Sequence, residues 1–73
     1  MVKSIQTKEY AVFVERLRKA RLKAGLTQVQ VAKKLRRPQS HISNIESSQQ
    51  RVDIIELKRF AKMYGEDIGY FTK

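Results

Sequence analysis

Apolar residues recur along this chain at intervals of three and four, the spacing that lays a stripe down one side of a helix. Tyr10, Phe13, Val14, Leu17, Arg21 and Ala24 share one side of a first helix, from about Lys8 to Ala24, with Thr7 as its cap. Gly25 then fits the left-handed position that ends a helix, because a residue without Cβ adopts it at no steric cost. Thr27 and Gln30 have the spacing of a capping box, so a second helix should start at Gln28 and bury Val31, Ala32 and Leu35. The fixed φ of Pro38 suits a first helical position, so a third helix begins at or near it and turns Ile42 and Ile45 inward. Gln49, Gln50 and Arg51 read as the following loop, with Val52 directed inward. Asp53 and Glu56 form an acidic variant of the capping arrangement for a fourth helix carrying Ile54, Leu57, Phe60, Ala61 and Tyr64. Gly65 should stop it, and a short last helix from about Glu66 to Phe71 carries Ile68, Tyr70 and Phe71. The expectation is an all-α bundle of five helices over residues 8–73, preceded by an N-terminal arm, 1–7.

The third helix has an unusual outer side. At about 100° per residue, Ser40, Ser43, Asn44 and Ser47 lie opposite Ile42 and Ile45, and Gln39 projects from the tip. These side chains are short, polar and uncharged in a chain otherwise rich in Lys and Arg. Gln and Asn can pair bidentately with the N6 and N7 edge of adenine, and Ser can donate or accept. A capped, water-facing helix explains the same five residues equally well, so this face alone leaves both readings open.

Charge shifts that balance. Sixteen Lys and Arg against seven Asp and Glu give a net charge of +9, which favours a polyanion. Arg16, Arg18, Lys19 and Lys23 belong to the first helix; Lys33, Lys34, Arg36 and Arg37 surround the turn before the third; Lys58, Arg59 and Lys62 lie on the fourth. The group around the turn is nearest the polar face.

Other chemistry is scarce. A chain of 73 residues is one small domain that buries roughly 60% of its unfolded surface. It holds no cysteine, and one histidine, His41, cannot build a metal site alone. No glycine-rich phosphate loop or nucleophile motif is present, and capping or solvation accounts for Asp53, Glu56, Glu66 and Asp67, so no enzyme activity, cofactor or metal is expected. No apolar run approaches the roughly 20 residues that span a membrane, and Met1 to Tyr10 lacks a signal-peptide core. A basic amphipathic first helix can also signal membrane or calmodulin binding, but its apolar side is needed to cover Val31, Leu35, Ile42 and Ile45.

From Arg21 to Ser48, and more loosely from Phe13 to Phe71, the chain resembles the lambda-repressor and Cro-like helix-turn-helix family, the xenobiotic-response-element type. The resemblance implies a double-stranded DNA-binding transcriptional regulator, acting as a homodimer on a palindromic operator with reading helices about 34 to 36 Å apart. By position, Gln39, Ser40, Ser43 and Asn44 would face base edges. Thr27, Gln28, Lys34, Arg36, Arg37 and His41 would lie along phosphates, with Gln28 also bracing position 39. Arg21 and Glu46 would form a structural ion pair, and Ile68, Tyr70 and Phe71 the candidate dimer surface unless they close the core. A cytoplasmic, bacterial or phage-type protein, associated with the nucleoid when bound, is the corresponding expectation.

Three positions depart from the family pattern. Arg36 and Ser48 stand where glycine is usual, which implies strain if φ stays positive, and Pro38 replaces a Ser or Thr cap. The principal alternative is a protein-interaction adaptor on the same fold, such as a coactivator, antirepressor or antitoxin with a separate protein partner. RNA binding fits the charge, but no GXXG loop or aromatic platform accompanies it.

Overall fold

The computed structural model describes residues 7–72, so the expected arm lies almost wholly outside the described residues. Five helices follow one another: α1 (Lys8–Lys23), α2 (Gln28–Leu35), α3 (Gln39–Glu46), α4 (Ile54–Tyr64) and α5 (Ile68–Thr72). No strand occurs among the described residues.

Each start has a local cause. Thr7 Oγ1 accepts from the Tyr10 amide at 3.1 Å. Thr27 Oγ1 accepts from the Gln30 amide at 3.1 Å while Gln30 Oε1 accepts from the Thr27 amide at 2.8 Å, completing the capping box. At α4 the box is only half made. Asp53 Oδ1 accepts from the Glu56 amide at 2.8 Å, but the Glu56 carboxylate is engaged elsewhere, as described below.

The first four helices end alike. In each, a residue with positive φ lets two successive amides bond back to carbonyls of the last turn, as in Leu26 to Arg21 (3.1 Å) and Gly25 to Leu22 (3.0 Å). Gly25 (φ 74°) and Gly65 (φ 70°) fill this position after α1 and α4. Arg36 (φ 56°) and Ser48 (φ 62°) fill it after α2 and α3, bearing a Cβ where glycine bears none.

α1 packs against α3, α4 and α5, while α2 packs on α3. One cluster fills the centre, with Leu17, Val31, Ile42, Ile45, Phe60 and Phe71 fully buried. Three expectations are revised. Ala24 caps α1 and is exposed, whereas Ala20 is buried in its place. Ile54, expected on the inner side of α4, is exposed like its neighbour Ile55, because the buried stripe begins only at Leu57. Phe71, a candidate for the dimer surface unless it closed the core, is 1% exposed and closes it, leaving Ile68 and Tyr70 half-buried around it.

Candidate nucleic-acid interface

α2 and α3 are joined by Arg36, Arg37 and Pro38. With Arg36 left-handed, the Arg37 amide reaches back to the Ala32 carbonyl at 2.9 Å, and the chain reverses within three residues. Pro38 (φ −63°, ψ 151°) is the extended residue before the helix rather than its first helical residue, so α3 starts at Gln39. It provides no side-chain cap. The partial positive charge of a helix N-terminus therefore meets solvent beside Arg36 and Arg37, both exposed.

Gln39, Ser40, Ser43, Asn44 and Ser47 are all exposed. The side chains of Gln39, Ser40, Ser43 and Asn44 make no hydrogen bond to any described residue, whereas Ser47 Oγ donates to the Asn44 carbonyl at 3.3 Å. One helix face thus holds a set of donors and acceptors that its own chain does not use.

The opposite side is fixed from beneath. Arg21 donates to Glu46 twice, from Nε to Oε2 at 2.7 Å and from Nη2 to Oε1 at 3.0 Å, and its Nη1 donates to the Leu26 carbonyl at 2.9 Å. Both side chains are nine-tenths buried. The carboxylate beside Arg21 raises the guanidinium pKa further above its ordinary value, against the effect of burial. Gln28 Nε2 also donates to Glu46 Oε1, at 3.2 Å. Its amide thus braces the far end of α3, not residue 39 as expected.

His41 is a second revision. Expected beside a phosphate or in solvent, it has a side chain only 12% exposed, because it faces α4 and the loop after α3. Its Nε2 lies 2.9 Å from Glu56 Oε1, and Gln50 Nε2 lies 2.8 Å from Nδ1. A carboxylate only accepts and the amide nitrogen only donates, so the neutral ring carries its proton on Nε2. Both ring nitrogens are therefore occupied within the chain, and neither is free for a phosphate. Glu56 Oε2 is also 4.0 Å from Arg37 Nε, which ties the turn to α4 although Arg37 remains mostly exposed. Sequence reasoning missed this role of Glu56 and Gln50. Spacing made Glu56 a capping residue, and no local signal pairs positions 41 and 56.

Of the other expected phosphate contacts, Lys34 and Arg36 are exposed beside the turn. Thr27 is exposed with its oxygen used as a cap acceptor, which leaves the hydroxyl proton for an outside acceptor.

Such a tight two-helix corner, with the second helix polar outside and pinned inside, narrows the choice of family. The profile of the helix-turn-helix family of lambda repressor, Cro and xenobiotic-response-element type matches residues 17–71. The chain belongs to this helix-turn-helix family. The match spans all of α2, α3 and α4, with the second half of α1 from Leu17 and most of α5. No curated protein matches the chain. Helix-turn-helix proteins of this kind are DNA-binding regulators, and the all-helical fold accords with membership. Among the described residues, no group of three or more His, Cys, Asp or Glu is placed to hold a metal ion, and no helix is long and apolar enough to cross a membrane.

Proposed function

We propose that this helix-turn-helix protein is a sequence-specific transcriptional regulator, acting as a repressor that inserts α3 into the major groove of an operator. The observation that carries the reading is the outer face of α3: Gln39, Ser40, Ser43 and Asn44 are exposed and unbonded, with Lys34, Arg36 and Arg37 beside them. Gln39 and Asn44 suit adenine edges, and the serines suit several bases at short range. Thr27, Gln28, Lys34, Arg36 and Arg37 are the proposed phosphate contacts, Gln28 through whatever capacity its bond to Glu46 leaves. His41 drops out of that set. Arg21 and Glu46 set the roll of α3 and take no part in recognition.

A homodimer on a palindromic site accompanies this proposal, with Ile68 and Tyr70 as the remaining candidates for its surface. They flank the buried Phe71 and are incompletely covered within one chain. Repression by occupying promoter DNA, in the cytoplasm of a bacterial or phage-infected cell, completes the reading.

One feature favours an adaptor on the same fold: Ile54 and Ile55 are adjacent and 56% and 58% exposed. A protein-docking role would use that pair and leave the α3 face idle.

Selection from a random duplex pool at moderate salt separates the two. Enrichment of a two-fold motif, bound at least about a thousandfold tighter than a scrambled duplex, supports operator reading. Weak, salt-sensitive binding to every duplex, with no enriched motif, overturns it and favours the adaptor.

A further inference from the structure

A second basic surface lies away from the face of α3. One cleft between the end of α2 and the outer side of α4 is lined by Lys34, Leu35, Arg59, Lys62 and Met63. Three of its five residues are cationic, and none of the chain's seven carboxylates lines it. No ion pair of the described residues reaches Lys34, Arg59 or Lys62. All three are exposed. Helix polarity accounts for part of this, since Lys34 and Lys62 stand in the last turns of α2 and α4, where the dipole favours a cation. It does not account for Arg59 in the middle of α4. Arg59 and Lys62, three residues apart, are helix-surface neighbours of like charge, which costs stability in an isolated helix.

The cleft also adjoins the turn before the reading helix. Arg59 lines a neighbouring cleft together with Arg37, two residues ahead of Gln39, and with Asp53, Ile55 and Glu56. The two carboxylates of that cleft are engaged within the chain, Glu56 with His41 and Arg37 and Asp53 as the cap of α4, so the exposed cations reach from the corner of the helix-turn-helix to the outer side of α4. An extended, regularly spaced polyanion fits such a run better than a compact anion.

We propose that Lys34, Arg59 and Lys62 bind the phosphodiester backbone of the DNA flanking the sequence read by α3, so that α4 extends the contact beyond the major groove. This inference rests on α3 being the reading helix. It adds affinity without base preference, because phosphate contacts position a protein and carry no sequence information directly.

The test compares two duplexes, one holding only the selected site and one lengthened at each end by about one helical turn, roughly 10 base pairs. Binding is followed across a salt series. For the parent protein, the slope of log K against log salt should be steeper on the longer duplex, by about 0.9 for every added phosphate contact. Arg59→Gln with Lys62→Gln should remove that increment and keep the preference for the selected over a scrambled sequence. Lys34→Gln alone should remove part of it. A double variant of equal charge on α1, Lys19→Gln with Lys23→Gln, should leave the increment intact. All these positions are exposed, and far-UV circular dichroism checks that each variant remains helical.

The proposal is overturned if the parent shows no increment, if the α4 variant retains it, or if the α1 variant loses it equally. If the parent prefers no sequence, the reading of α3 falls and this proposal falls with it, whereas a preferred sequence without the increment overturns the α4 contact alone.

Discussion

Removal of the Glu46 carboxylate strands a buried charge where α1 meets α3. Glu46→Ala takes the acceptor from three donors, Arg21 Nε, Arg21 Nη2 and Gln28 Nε2, at 2.7, 3.0 and 3.2 Å. The Arg21 side chain is 10% exposed, so its charge cannot swing into water without opening the contact between α1 and α3. An uncompensated buried charge of this kind costs about 3–5 kcal/mol. A chain of this length has a total stability of about 4–11 kcal/mol, at roughly 0.05–0.15 kcal/mol per residue. The variant should therefore lose a large share of it, and Tm should fall on the order of 12–40 °C, at about 4–8 °C per kcal/mol. Replacing both partners by apolar residues, Arg21→Met with Glu46→Leu, removes the charge as well as its acceptor and should recover most of the loss. Recovery stays incomplete because the Leu26 carbonyl loses its donor, worth about 1–3 kcal/mol. Urea unfolding followed by circular dichroism, on the parent, both single variants and the double, gives the coupling directly. The reasoning fails if Glu46→Ala costs less than about 1 kcal/mol, or if the double variant costs the sum of the singles.

Other perturbations report on separate parts of the molecule. Gln39→Ala and Asn44→Ala should each lose about 1–3 kcal/mol of discrimination at particular bases, whereas Arg37→Ala should weaken binding to all duplexes evenly. Titration against single-base variants of the selected site measures this, and unchanged selectivity would remove α3 from the reading role. Arg36→Gly and Ser48→Gly relieve left-handed residues bearing a Cβ, and each should raise stability by about 0.5–1 kcal/mol, or about 2–8 °C in Tm; a lower Tm would show that side-chain contacts outweigh the backbone term. His41→Leu leaves Glu56 and Gln50 without their shared partner and should cost about 1–3 kcal/mol in urea unfolding. If it instead reduces only the salt slope of DNA binding, His41 faces phosphate after all. Burial, with the Glu46 charge nearby, holds the Tyr64 phenol well above its ordinary pKa of 10. The unfolded chain therefore loses that proton first, and the stability it contributes is complete below pH 10 and declines as pH rises beyond it. Tyr64→Phe should flatten that alkaline decline in unfolding free energy, and an unchanged decline would assign it to other groups.

The five helices were legible because each boundary is written in a few adjacent residues: Thr27 with Gln30, Asp53 before its helix, Gly25 and Gly65 after theirs. Periodicity likewise located Leu17, Val31, Ile42, Ile45 and Phe60 in the core. It failed at Ile54 and Phe71. A helix's first turn can project beyond the body it packs on, and a five-residue helix has too short a period to show which of Ile68, Tyr70 and Phe71 points inward. For the candidate site, the exposure of its outer residues was legible and its support was not. The pattern places Ser40, Ser43 and Asn44 on one side of α3, whereas the Gln50–His41–Glu56 connection depends on how α4 and the preceding loop fold back on that helix. Pro38 shows a finer limit, since a fixed φ suits either the first helical residue or the extended one before it, and only ψ separates them.

The four unbonded side chains on α3 also bear on how this protein can change. Neither Gln39, Ser40, Ser43 nor Asn44 supports the structure, whereas Glu46, Ile42 and Ile45 on the same helix do. Substitutions confined to the outer four should leave stability within about 0.5 kcal/mol, as at other surface positions. On the proposed reading of α3, recognition and folding are written in separate letters of one eight-residue word, and a descendant can acquire a new address on DNA without first learning to fold again.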